Sequence, residues 1–165
     1  MTDTERPVGS AEEALASLLE SVKPRCLLAG GDLAGRLAAH WCCHHPDTHL
    51  LTLSASDPDA TFPLVRTPDL VLLTDTLEQL DKASGTLLLG QLRNYGSHQI
   101  AVLVGAQAHW HRNDFIALGF LQQANFSGPP ERQLYSYNLD AYNFKRSWNS
   151  PEHWANPEMW GKRWW

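Results

Sequence analysis

The sequence contains no apolar run long enough to cross a bilayer, and its N-terminus lacks the pattern of a signal peptide. Cysteine is scarce, with three residues in the chain. Cys42 and Cys43 are adjacent and Cys26 lies in a predicted strand, so a disulfide framework is not expected. We therefore expect a cytoplasmic protein with no membrane partner.

Basic residues are also few, because 13 lysines and arginines stand against 18 acidic residues, for a formal net charge of −5. A general nucleic-acid-binding protein carries a basic footprint, so this balance argues against nucleic acid as the main partner. Hydrophobic residues make up 43% of the chain and charged residues 19%, which excludes a disordered or fibrous protein. The 165 residues favour one domain with a real core.

The apolar pattern alternates between strands and helices along most of the chain. In chain order we predict a helix 11–22 capped by Ser10, strand 25–29, helix 33–43, strand 49–53, a remnant strand 62–65, strand 70–74, a helical stretch 76–95 with a break near Gly85, strand 99–104, a helix 113–118 capped by Asn113, and strands 120–126 and 134–139. This order predicts a three-layer, Rossmann-like α/β fold with a mainly parallel sheet and a late antiparallel strand pair.

Polar residues stand at the end of the predicted strand 70–74, at the carboxyl edge where open α/β sheets bind ligands. Thr74 and Asp75 end the strand in D-L-V-L-L-T-D-T-L-E-Q-L (69–80). They are predicted to line a ligand site. Asp75 has a second interpretation as the cap of the following helix, and the two roles are compatible.

A glycine-rich turn, G-G-D-L-A-G (30–35), joins the first strand to its helix. Gly30, Gly31, Asp32 and Gly35 are candidates for a ligand loop, because free amides and the helix dipole favour an anion at a helix N-terminus. The alternative is a tight turn that holds no ligand.

These motifs together resemble class I S-adenosylmethionine-dependent methyltransferases over residues 23–139. D-L-V-L-L-T-D-T-L-E-Q-L resembles the family's fourth-strand motif, and C-L-L-A-G-G-D-L-A-G-R-L stands where the family has its glycine-rich first loop. Q-I-A-V-L-V and D-F-I-A-L-G-F resemble the fifth strand and the helix-then-Gly-Phe step that follows it. The resemblance implies a Rossmann-like fold, compressed in its middle, and makes S-adenosylmethionine the candidate cofactor.

The sequence departs from the family's pattern where the cofactor is held. If Gly31 and Gly35 take the first and third glycines of the family's motif, Ala29 replaces its acid and Leu33 its middle glycine. The second strand ends in L-S-A-S instead of an acid, which leaves Asp57 as the nearest carboxylate. The resemblance therefore predicts a degenerate member that serves as a ligand-binding or protein-interaction module for an unknown small molecule or protein.

The alternative is an active methyltransferase with an atypical cofactor site that acts on a small molecule. Its predicted cofactor-binding residues are Gly30, Gly31, Asp32, Gly35, Asp57, Thr74 and Asp75. The catalytic candidates are Asp75 together with His109 or His111, which follow the predicted fifth strand and could act as a general base. Trp110 between the two histidines would either stack on a planar ligand or anchor the loop in the core.

A cluster of soft ligands lies at the end of the second helix. His40, Cys43 and His44 share one helix face at i, i+3 and i+4. These residue types suit zinc, but their spacing matches no common zinc module. We predict no metal site.

The C-terminus is rich in tryptophan, with five of the seven tryptophans in 148–165. Two similar motifs, S-P-E-H-W and N-P-E-M-W, each predict a short helical turn. Because burying one large aromatic side chain is worth about 2–3 kcal/mol, we expect the tail 147–165 to pack on a domain formed by 1–146. Homo-oligomerisation through this tail is the alternative.

Overall fold

The computed structural model describes residues 9–142. The predicted tail 147–165, with its two helical turns and its packing on the domain, lies outside these residues and stays a prediction. The elements are, in chain order, α1 (Ala11–Val22), β1 (Cys26–Gly30), α2 (Asp32–His44), β2 (His49–Leu53), β3 (Leu70–Thr74), α3 (Lys82–Asn94), β4 (Gln99–Gly105), α4 (Arg112–Ala117), β5 (Leu121–Phe126), β6 (Arg132–Asn138) and α5 (Leu139–Tyr142). Two short 3-10 turns cover Pro58–Thr61 and Leu77–Gln79.

Six strands of the described chain form one sheet in the order β2-β1-β3-β4-β6-β5. Strands β1 to β4 are parallel, and β6 runs antiparallel to both β4 and β5. The predicted Rossmann-like fold with a late antiparallel pair is therefore confirmed. The strand order reverses between β1 and β3, and the carboxyl ends of these two strands flank the position where open α/β sheets bind ligands.

Each face of the sheet has its own apolar core. Leu27 and Leu72 point into a core with α1 and α2 on one face, whereas Leu28 and Leu73 point into a core with α3 and α4 on the other. Because successive side chains of a strand alternate between faces, the central strands need apolar residues at every position. This is why β1 and β3 read as unbroken apolar runs. No helix between residues 9 and 142 is long and apolar enough to span a membrane.

Side-chain caps fix the start of two helices. At α1, the Glu13 amide donates to the Ser10 hydroxyl at 3.2 Å, and the Ser10 amide donates to the Glu13 carboxylate at 3.0 Å. At α3, the Asp81 carboxylate accepts the Ser84 amide at 3.2 Å. Hydrogen bonds from Ser84 lower the pKa of Asp81 below its ordinary value.

The prediction of a helical stretch over 76–95 with a break near Gly85 is wrong in its details. The helix begins at Lys82, after the Asp81 cap, and a 3-10 turn occupies Leu77–Gln79. Gly85 lies inside α3 and is fully packed. A Cβ there would lie 2.6 Å from Cζ2 of Trp110, so this glycine makes room for an aromatic ring instead of breaking the helix.

Two further sequence predictions are corrected. Residues 62–65 form no strand: Phe62 and Leu64 pack against the α3/α4 core, and Pro63 has no amide hydrogen for a ladder. The connection from β2 to β3 thus contains one 3-10 turn as its regular structure, which agrees with the predicted compression. Helix α4 begins before the predicted Asn113 cap, because the His111 amide is satisfied by the Asp114 carboxylate at 2.8 Å.

Candidate functional site at the carboxyl edge of the sheet

The carboxyl ends of β1 and β3 are in close backbone contact at Gly31 and Thr74. Gly31 has a φ of 96°, a conformation that glycine adopts without steric cost. A Cβ at this position would lie 1.5 Å from the Thr74 carbonyl oxygen. The backbones of the two strand ends therefore touch here, and no residue other than glycine fits.

The hydroxyl of Thr74 is used inside the protein. Thr74 is fully buried, and its Oγ1 accepts the Ala34 amide at 3.0 Å and lies 3.5 Å from the Gly30 carbonyl oxygen, to which it donates. Ala34 is in the first turn of α2, where amides have no acceptor within the helix. The N-cap residue, Gly31, has no side chain, so Thr74 supplies the capping oxygen from the neighbouring strand. One of the amides that would face a bound anion is thereby satisfied.

The remaining residues of the glycine-rich turn have different environments. Ala29 and Leu33, which stand where the resembled family has an acid and a glycine, are both buried in the α1/α2 core. Asp32 is exposed. A Cβ added to Gly35 would meet no atom within 4 Å, so packing does not require glycine there.

The end of β2 offers no buried acid among the described residues. Leu53 is buried and ends the strand, and the hydroxyls of Ser54 and Ser56 lie 2.7 Å apart on the surface. Asp57 is exposed and precedes the 3-10 turn Pro58–Thr61. The structure thus places Asp57 in a surface loop beyond the edge of the sheet.

Asp75 has an unusual backbone conformation at the end of β3. Its φ is 54°, in the left-handed region that costs a non-glycine residue about 1–2 kcal/mol. The side chain does not cap the following turn, because Thr76 holds the N-cap position and makes no side-chain cap bond. The Asp75 carbonyl accepts the Gln79 side-chain amide at 2.9 Å. The carboxylate is half-buried at the sheet edge, which is compatible with the predicted pocket-lining role.

Glu78 is a polar residue at this edge that the sequence analysis did not single out. Its Oε1 accepts the Gly105 amide at 2.7 Å, which ties the turn after β3 to the end of β4. Its Oε2 is buried and has no hydrogen-bond partner among the described residues. The available signal was position, because Glu78 lies four residues beyond the last residue of β3, in the turn at the sheet edge.

The loop after β4 contains the two candidate bases. His109 and His111 are exposed, whereas Trp110 between them is 4% exposed and packs against Gly85 and the Phe115 ring, whose centroid lies 5.3 Å away. Of the two interpretations of Trp110, the structure favours the core anchor. The buried Nε1 of Trp110 has no partner among residues 9–142.

An ion pair links this loop to α3. Lys82 Nζ lies 2.7 Å from Asp114 Oδ2, and the same oxygen accepts the His111 amide. The hydrogen bond from Lys82, followed by the one from His111, lowers the pKa of Asp114 below its ordinary value of 3.8. The pair fixes the position of His111 through its main chain, so the loop is held from both its buried and its exposed sides.

The histidines of α2 stand apart from this edge. The rings of His40 and His44 lie 4.7 Å apart, and the Nδ1 atom of His44 lies 3.0 Å from the His40 carbonyl oxygen. Cys43 is exposed beside them. Within the described part of the chain, no three His, Cys, Asp or Glu side chains are arranged to hold a metal ion.

A cavity of about 530 Å³ lies at the opposite, amino edge of the sheet. Its lining includes Lys23, Arg25, His98 and Asp140. Asp69, also in the lining, accepts the amides of Arg25 and Cys26, both at 2.9 Å. The first acid of D-L-V-L-L-T-D therefore joins the start of β1 to the start of β3.

Comparison with solved structures shows the same fold in methyltransferases at low sequence identity. One is an O-methyltransferase (NcsB1) from neocarzinostatin biosynthesis, at 11% identity and a TM-score of 0.51, covering 78% of this chain and 56% of that one. Another is magnesium protoporphyrin IX methyltransferase from Synechocystis PCC 6803, at 9% identity and a TM-score of 0.50, covering 76% and 80%. A third, the pyocyanin biosynthetic protein PhzM, matches at 16% identity and a TM-score of 0.46. The chain spans about half of PhzM, covering 49% of it.

No curated protein matches this chain. A family model does match, over residues 9–165, and its extent includes the C-terminal tail as well as the described domain. The chain, which has a class I methyltransferase-like fold, therefore belongs to a family of unknown function, DUF6231.

Proposed function

We propose that this protein is a degenerate, non-catalytic member of the methyltransferase fold that serves as a binding module. The observation that carries this proposal is the contact of Gly31 with Thr74, together with the hydrogen bond from Ala34 to the Thr74 hydroxyl. Both lie at the switch point, where a cofactor on this fold would need open space and free amides.

The chemistry of the surrounding residues supports the same conclusion. Ala29 has no hydrogen-bonding side chain, and Leu33 contributes to the α1/α2 core. The end of β2 supplies hydroxyls from Ser54 and Ser56, while the nearest acid, Asp57, is exposed in the loop beyond. A cofactor with a charged amino-acid portion and a ribose would leave polar groups without partners at such a site, which costs about 1–3 kcal/mol for each buried group.

The fold retains room for a small polar ligand at the amino edge. The open surface depression there has a volume of about 530 Å³. Its lining combines the cations Lys23 and Arg25 with the carboxylates Asp69 and Asp140. A small molecule that carries both charges is the class of ligand that this lining suits.

The test is thermal unfolding of the pure protein with and without millimolar S-adenosylhomocysteine. A ligand present at 100 times its Kd stabilises a protein by about 2.7 kcal/mol, which raises the Tm of a domain of this size by about 5–10 °C. We expect no rise in Tm, because Ala29, Leu33 and the end of β2 supply none of the carboxylates that such a cofactor would need. A rise that saturates with ligand concentration would contradict the proposal.

The second candidate is an active methyltransferase with an atypical cofactor site, and one observation favours it. Strained backbone tends to persist at functional positions, and Asp75 has a φ of 54° at the sheet edge. On this alternative Asp75 borders the methyl group, with His109 or His111 as the base, and the cofactor supplies the reacting methyl. Turnover of S-adenosylmethionine by the wild-type protein, lost in Asp75→Ala, would support it. Turnover that Asp75→Ala leaves unchanged would reject this placement.

A further inference from the structure

Strand β2 presents unpaired main-chain groups along one edge of the sheet. The His49 amide donates to the Arg25 carbonyl at 2.7 Å, and β2 pairs with β1 in parallel register. Alternate residues of a parallel strand face the same neighbour, so Leu51 and Leu53 also bond to β1. Leu50 and Thr52 therefore direct their N–H and C=O groups away from the sheet, where no strand of the described chain pairs with them.

Proteins often block an exposed strand with lysine, proline or a bulge, and within residues 9–142 this edge has none of the three. The sequence of β2, H-L-L-T-L, contains neither lysine nor proline, and its five residues pair with β1 without a register shift. His49, Leu50 and Thr52 are exposed. The opposite edge is different, because β5 carries an irregularity between Gln122 and Ala124.

We propose that β2 pairs with β2 of a second copy of this chain, antiparallel about a two-fold axis at Leu51. In that register Leu50 lies opposite the partner's Thr52, and each such pair exchanges two main-chain hydrogen bonds. Leu51 meets the partner's Leu51 as the pair without hydrogen bonds between them. This alternation is the one that an antiparallel ladder requires, and it uses every outward group of Leu50 and Thr52.

The strand is suited to a copy of itself. Residues 48–56 contain no Asp, Glu, Lys or Arg, so two identical strands approach without opposing like charges even though the chain carries a net charge of −5. Leu50 is 38% exposed and would be covered by the partner's Thr52 on the α1/α2 face. Two-fold pairing closes on itself, so it gives a dimer and not a fibre. This interface does not depend on whether the carboxyl edge of the sheet binds a cofactor.

The first test is the particle mass of the full chain by light scattering. We expect about 37 kDa, twice the chain mass of 18.5 kDa. The double variant Leu50→Lys/Thr52→Lys places charges on the proposed interface, and we expect it to fall to the mass of one chain. The matched control, Leu121→Lys, alters an exposed leucine on β5 at the other edge and should stay a dimer. A wild-type monomer, or a dimer that the double variant leaves intact, would overturn the proposal.

A cross-linking test covers the case in which the double variant does not fold. In the Cys42→Ser/Cys43→Ser background, Leu51→Cys places two thiols across the proposed axis. Their Cα atoms would be about 4.5 Å apart, which suits a disulfide. We expect a covalent dimer on mild oxidation. The control Thr52→Cys lies opposite the partner's Leu50 and should link poorly. Equal cross-linking of the two variants, or none for Leu51→Cys, would reject this register.

Discussion

Removing the hydroxyl of Thr74 should destabilise the protein, because the Ala34 amide would lose its acceptor. In Thr74→Val the side-chain volume is kept, while the bonds to Ala34 and Gly30 at 3.0 Å and 3.5 Å are lost. Ala34 is fully buried, so water cannot replace the acceptor. A buried unsatisfied amide costs about 1–3 kcal/mol, and loss of a cap costs a similar amount. We therefore expect the free energy of unfolding to fall by about 2 kcal/mol.

The matched control is Thr74→Ser, which keeps the hydroxyl and removes one methyl group. Burying a methyl group is worth about 0.8 kcal/mol, so this variant should be less destabilised than Thr74→Val. The assay is urea unfolding followed by circular dichroism, and the unfolding free energies of both variants are derived with the same dependence on urea concentration. A valine variant as stable as the wild type, or a serine variant less stable than the valine variant, would refute the capping role of Thr74.

Three further predictions concern packing and charge. Gly85→Ala should lower the free energy of unfolding by about 1–2 kcal/mol, since overpacking against Trp110 exceeds the gain in helix propensity. The control Gly90→Ala lies in open space on the same helix and should raise the free energy of unfolding by about 0.5–1 kcal/mol. Equal effects of the two variants in urea melts would contradict the packing of Gly85 against Trp110. Asp69→Ala should lower the free energy of unfolding by about 0.5–1.5 kcal/mol, because the Cys26 amide loses its acceptor in a partly buried place whereas water can replace the acceptor of the exposed Arg25 amide. The exposed Asp57→Ala should be near neutral, and the same melts measure both. Lys82→Ala should raise the pKa of Asp114 toward 3.8, as measured by NMR titration. Because the pKa of Asp114 is lowered in the folded state, this carboxylate stabilises the folded protein above its ordinary pKa, and the contribution disappears as the pH falls through the folded-state pKa. An unchanged pKa in the variant would show that Lys82 does not cause the lowering.

The fold could be predicted from the sequence because its central strands are apolar at every position. β3 begins and ends at the predicted residues, 70–74, because all five of its residues are buried. The edge strand β2 also matches its predicted bounds, 49–53, although three of its five residues are exposed. Helix boundaries were less predictable. The glycine at position 85 indicates a break by propensity alone, but the ring that needs its space, Trp110, is 25 residues away in the chain.

The position of the candidate site could be predicted from the sequence, but the hydrogen bonds that its residues make could not. The sequence places Gly31 and Thr74 at the carboxyl ends of two buried strands, on the edge of the sheet where the ligand site is predicted. It does not reveal that the Thr74 hydroxyl faces the first turn of α2, which depends on the relative height of β1 and β3. The role of Glu78 was missed for a similar reason, since its acceptor contact with the Gly105 amide joins residues 27 apart in the chain.

Calorimetric titration of the pure protein with S-adenosylmethionine and S-adenosylhomocysteine tests the central claim most directly. Because Ala29 and the end of β2 supply no acid and the Thr74 hydroxyl occupies the Ala34 amide, we predict no saturable heat of binding for either compound. Saturable binding at micromolar Kd would contradict the account and would make the active methyltransferase the better interpretation.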